Sequence, residues 1–139
     1  MKKILAFFFF SLLFVACKPK VLDADIAKIN GYWEIQKVEL PQGGEKEYKV
    51  NETIDFFEVK DKKGFRQKVM PQLDGTYLTN NIKETFTITN KDNVFYVNYT
   101  TNFGKWREEI LELKDSVLVL KNKENLEYHY KRQIPFSIK

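Results

Sequence analysis

From position 32 to 133 apolar and polar residues alternate in short runs rich in β-branched and aromatic side chains, and turn-forming residues interrupt them about every eight to twelve positions. Alternation with a period of two gives each run one apolar and one wet face, as antiparallel strands require. Phe86 and Ile88 alternate with Thr85, Thr87 and Thr89; Leu111 and Leu113 alternate with Glu112 and Lys114; Tyr128, Tyr130 and Arg132 alternate with Glu127, His129 and Lys131. The pattern predicts strands at 32–40, 53–60, 64–70, 76–79, 83–89, 94–101, 105–114, 117–121 and 126–133. Turn chemistry separates them, including Pro41-Gln42-Gly43-Gly44, Asp92-Asn93 and Asn122-Lys123-Glu124-Asn125.

Ahead of these runs, Asp23-Ala24-Asp25-Ile26-Ala27-Lys28-Ile29 predicts one or two helical turns, with Asp23 as the cap and Ile26 and Ile29 on one side. The short connections predict consecutive hairpins. An open sheet of that size leaves two bare edges, whereas closure at about eight strands removes them and encloses room for side chains or one small ligand. The expected fold is therefore all-β: an antiparallel up-and-down β-barrel of eight or nine strands with a short N-terminal helical turn. A two-sheet sandwich satisfies the same alternation.

The first residues follow a different logic. Lys2 and Lys3 precede an apolar stretch from Ile4 to Ala16, which ends at the only cysteine, Cys17, and gives way to Lys18-Pro19-Lys20. The stretch is shorter than the roughly 20 residues that span a bilayer, and its basic start and polar exit read as an export signal. A small residue directly before a lone cysteine resembles the bacterial lipoprotein box. That resemblance implies a diacylglycerol thioether on Cys17 and cleavage before it. The expected organisation is then a signal peptide at 1–16, a lipidated cysteine and tether at 17–23, and a barrel domain at 24–139. Loss of Lys2 and Lys3 lowers the formal charge from +4 to +2. With no arginine-rich stripe and an exported location, nucleic acid is not an expected partner. Lys-Pro-Lys after Cys17 lacks an acidic pair, so a periplasm-facing anchor in a bacterial cell envelope is expected, with the membrane as a partner through the lipid.

At the start of the barrel region, Asn30-Gly31-Tyr32-Trp33 opens the first strand, and Arg132 stands near the end of the last. The combination resembles the Gly-x-Trp signature of lipocalins and lipocalin-like domains. The resemblance implies that Trp33 plugs one end of the barrel beneath Arg132, which gives Gly31, Trp33 and Arg132 structural roles. It also implies a small hydrophobic or amphipathic ligand in the cup. Tyr77, Tyr96, Tyr128 and Tyr130 are the candidates for a lining that pairs an apolar ring with a polar tip. The twelve Phe and seven Tyr residues would equally fill a solid core. In that case the long polar connection from Pro41 to Asn51 becomes the candidate surface for an envelope protein, through which the barrel acts as adaptor or inhibitor.

Catalytic chemistry is thin. One cysteine and one histidine exclude an internal disulfide, a cysteine-based zinc site and a histidine-rich metal centre. His129 falls on the wet face of the last strand, a poor position for a buried base. Glu108, Glu109, Glu112 and Asp115 read as solvated surface charge. Gly43-Gly44 lacks the Lys-Ser/Thr of a phosphate loop. The expectation is a non-enzyme with no catalytic residues, no metal and no cofactor. Asp115-Ser116-Val117 resembles a short bacterial O-glycosylation acceptor on a hairpin turn, and an ordinary polar turn accounts for it as well.

Overall fold

A computed structural model describes residues 20–137. The segment 1–16 and Cys17 lie outside the described residues. A 3₁₀ helix, Asp23–Ile29, precedes nine strands: β1 (Gly31–Glu39), β2 (Glu45–Glu47), β3 (Ile54–Lys60), β4 (Lys63–Pro71), β5 (Tyr77–Lys91), β6 (Val94–Thr101), β7 (Gly104–Leu113), β8 (Val117–Lys121) and β9 (Glu127–Arg132). Each strand pairs antiparallel with its neighbour in the order β1-β3-β4-β5-β6-β7-β8-β9, and β9 returns to β1, so eight strands close a barrel. The sandwich is thereby excluded.

Closure follows from hairpin geometry. Asp61 and Lys62, and likewise Asp92 and Asn93, carry the paired positive φ angles of two-residue turns whose twist matches that of their flanking strands. The seam runs from Trp33 opposite Arg132 to Glu39 opposite Glu127, with a bulge between Ile35 and Lys37. Directly opposed residues share a face, so the register sorts the wall. Trp33, Phe57, Phe86, Ile88, Phe95, Val97, Tyr99, Leu118, Leu120 and Tyr130 form the interior, together with Ile26 and Ile29 of the 3₁₀ helix beneath them.

Three local expectations are corrected. The runs at 76–79 and 83–89 are one strand, β5, because Asn81 takes a left-handed conformation and Asn80–Ile82 bulge out opposite Lys68 without ending the pairing. Part of the connection from Pro41 to Asn51 is not a free loop: β2 pairs with Lys37–Glu39 of β1. Finally, a bulge between Ile110 and Glu112 turns Ile110 and Leu113 inward, so Leu111 is only half-buried.

Beyond its bulge, the β4–β5 hairpin lies against the outer wall. Tyr77 stacks on Tyr32 with ring centres 3.8 Å apart and donates its hydroxyl to Gln133 Oε1 at 2.6 Å. Ile54 and Val69, opposite one another on that outer face, are buried there.

Candidate functional site

The closed end is built around Trp33, which has no exposed surface. Its indole N–H donates to the Ile29 carbonyl at 2.8 Å, while the Arg132 guanidinium covers the ring at 4.2 Å. Arg132 also donates to the carbonyls of Asn30 at 2.7 Å, Lys28 at 2.5 Å and Asp115. Gly31 makes this approach possible: its φ is +119°, and a Cβ there would stand 2.5 Å from Arg132 Nη1. These three residues seal the barrel.

The other half of the interior is polar. Asp55 and Lys68 face each other across β3 and β4, one register step from the Phe57–Arg66 pair; Arg66 in turn faces Glu84, and Val97 faces Glu108. All four partnerships therefore point inward. Arg66 donates through Nε and Nη2 to the two oxygens of Glu84 at 3.0 and 3.1 Å, and through Nη1 to Glu108 at 3.2 Å and to the Tyr99 hydroxyl at 3.4 Å. Its guanidinium carbon also stands 4.5 Å from the Tyr99 ring centre. Lys68 Nζ lies 2.7 Å from Asp55 Oδ1, close but poorly aligned, so this oxygen is compensated in charge without a directed donor.

Two cations and three carboxylates thus share the inner surface, with Asp55 only 3% and Glu108 only 6% exposed. Burial pushes the Glu108 carboxyl above the usual glutamate range; Arg66 and Tyr99 pull it down, and Asp55 and Glu84 push it further up. For Arg66, burial works against the charge, but Tyr99, Glu84, Asp55 and Glu108 outweigh it and hold the guanidinium firmly protonated. Burial likewise raises the Tyr99 and Tyr130 phenols.

Above the Thr85–Thr100 pair β5 and β6 part, which opens a notch of about 480 Å³ at the mouth. Ile82, Phe103 and Trp106 line it beside Glu84. Trp106 stacks on Tyr99 at 5.1 Å, and Phe103 is fully exposed. A larger cleft of about 710 Å³ lies outside the barrel, between the folded hairpin, residues 131–136 and the outer wall at Glu34 and Ile54.

Of the four tyrosines expected to line a cup, Tyr128 and Tyr130 point inward, opposite Leu120 and Leu118. Tyr77 and Tyr96 do not, and their assignment to the lining is corrected. Tyr77 sits on the outer wall against Tyr32, and Tyr96 faces outward beside Glu109 under the Arg107 guanidinium. Glu108 is corrected from surface charge to buried carboxylate, whereas Glu109 is external and pairs with Lys121 at 3.2 Å. Placing every acidic and basic residue on the wet face overlooks this charged interior. A signal existed in the parity, since Asp55 shares that of Phe57, Glu84 that of Phe86, and Glu108 that of Ile110.

A closed antiparallel barrel of eight strands, sealed at one end and lined with polar groups towards the other, defines the lipocalin-like class of small-ligand-binding barrels. The family model of the lipocalin-like domain matches residues 29–120, and the chain belongs to that family. Among solved structures, the chain is similar to a lipocalin-like protein from Bacteroides uniformis, at 12% identity over 76% of this chain and 99% of that one, with a TM-score of 0.48. It is also similar to an uncharacterized protein from Bacteroides eggerthii, at 14% identity over 75% and 98%, with a TM-score of 0.46. No curated protein matches the chain.

Proposed function

We propose that this is a lipid-anchored, periplasm-facing envelope protein, without catalysis of its own, that binds a small amphipathic molecule at the mouth of the barrel. The apolar part of the ligand lies on Ile82, Phe103 and Trp106, and its head reaches Glu84 and the ions behind it. The observation that carries this reading is the buried Arg66–Glu84–Glu108 cluster directly beneath an exposed apolar notch. A buried ion cluster contributes little net stability compared with an apolar core of equal volume, so stability alone gives no reason to keep one. Perturbed ionisable groups beside a cleft are the pattern of a binding site. Of the two charged residues in the notch lining, Glu84 points inward while Lys83 turns to the outer face over the Phe65 ring, which favours a head that is cationic or rich in hydrogen-bond donors.

Titration of the protein with a long-chain alkylamine and with the matched fatty acid tests the proposal. Trp106, half-exposed in the notch, reports through its fluorescence, and native mass spectrometry counts bound molecules. Saturable 1:1 binding that prefers the amine is expected. Glu84→Gln should weaken it about tenfold, the loss of one charge-assisted hydrogen bond. An absence of saturable binding, or equal affinity of wild type, Glu84→Gln and Trp106→Ala, overturns the site.

A further inference from the structure

The outer face of the barrel seam carries a donor set that the ligand site does not use. Glu39 and Glu127 are directly opposed across β1 and β9, and His129 is opposed to Lys37 beside them, so all three donors project from the same face. His129 Nε2 lies 3.5 Å from Glu39 Oε1 and 3.5 Å from Glu127 Oε2. That nitrogen is shielded from solvent and, among the described residues, has no hydrogen-bond partner. Both separations exceed the span of an ordinary N–H···O bond, about 2.7–3.2 Å. They match instead the edge of a tetrahedron: ligand bonds of about 2.0–2.1 Å set the ligand atoms about 3.3–3.4 Å apart. The three donor atoms lie within 4.8 Å of one another.

We infer that Glu39, Glu127 and His129 form a site for one divalent first-row cation of the zinc type. The chemistry of the set fits. One imidazole and two carboxylates suit Zn²⁺ and its neighbours, and the two negative charges neutralise the ion. Three protein ligands leave a fourth position for water. Lys37 is the competitor: its Nζ lies 2.7 Å from Glu39 Oε1, but it is shared with Glu45 at 3.1 Å. An ion here joins the first strand of the barrel to the last. It therefore acts on the closure of the fold, on the outer face at the open end of the seam, across the barrel from the β5–β6 notch.

Isothermal titration of the tag-free, metal-stripped full chain with Zn²⁺ tests the inference, together with visible absorption of the Co²⁺ form and melting curves with and without Zn²⁺. One equivalent should bind, Co²⁺ should give the intense bands of a tetrahedral site, and the melting temperature should rise with Zn²⁺. His129→Ala and Glu127→Gln should each weaken binding by about tenfold or more and abolish the melting shift, while circular dichroism shows the barrel intact. Lys37→Met should tighten binding by removing the competing cation. Failure to bind one equivalent, or binding by His129→Ala and Glu127→Gln at wild-type strength, refutes the site.

Discussion

Arg132 covers the buried indole of Trp33 at 4.2 Å and in the same pose donates to the carbonyls of Lys28, Asn30 and Asp115. One side chain of the last strand thus ties down the 3₁₀ helix, the first strand and the β7–β8 turn. Arg132→Met removes the fork and leaves those carbonyls without their donor, which costs about 2–4 kcal/mol in urea unfolding. Arg132→Lys should recover less than half of this, because an ammonium on a flexible stem does not reproduce the planar fork. A loss below about 0.5 kcal/mol for Arg132→Met contradicts the sealing role.

Gly64 faces Val59 just past the β3–β4 turn, and a Cβ at Gly64 would fall on the Glu58 carbonyl oxygen. Backbone has no rotamer with which to give way. Gly64→Ala should therefore cost about 1–3 kcal/mol by forcing the hairpin open. Thermal melts alongside Lys63→Ala, on the exposed neighbour, check it; equal melting temperatures would count against the clash.

The raised Glu108 carboxyl fixes a sign for the pH dependence of stability. Burial is the chief cause, so the folded chain holds this proton more tightly than the unfolded chain, where the value is near 4.5. The contribution to stability is full below that unfolded value and is lost as pH rises through the folded one. Glu108→Gln keeps an oxygen for Arg66 but removes the titration. The stability of wild type minus Glu108→Gln should therefore fall from about pH 4.5 towards neutrality. Urea midpoints of both proteins over that range measure it, and a flat or rising difference contradicts the burial argument.

The resemblance at Cys17 makes a chemical prediction. Cells fed labelled palmitate should incorporate label into the wild-type chain and none into Cys17→Ser, and the variant should leave the detergent phase on phase separation. Equal labelling of the two chains excludes Cys17 as the lipid attachment point.

Eight of the nine strands, and the pairing of Trp33 with Arg132, were legible because each rests on a local rule: period-two alternation, turn residues, or a Gly-x-Trp start before a final-strand arginine. Where the rule was absent, reading failed. Glu45-Lys46-Glu47 is polar throughout and shows no alternation, so β2 was invisible; it exists because β1 bulges and diverges from β3 after Trp33, which frees backbone groups at Lys37–Glu39. Asn80-Asn81 looks like a turn and is a bulge, because β4 continues to offer hydrogen bonds on either side of Lys68. The charges at 55, 84 and 108 share the parity of apolar neighbours, but the outward tyrosines 77 and 96 and the inward Arg66 required knowledge of which face each strand turns to the axis. In a barrel this depends on register and bulges, and neither is written in a single run of sequence.

The sealed end has one more consequence, for orientation. Val21 is packed into the same cluster as Ile26 and Trp33, so the described chain begins at the plug. The four steps from Cys17 to Val21 span at most about 14 Å, so acyl chains on Cys17 would hold that end near the bilayer, with the notch at Trp106 facing away from it. A barrel moored in this way would exchange a ligand with the aqueous phase, and a lipid still embedded in the host leaflet would lie beyond its reach.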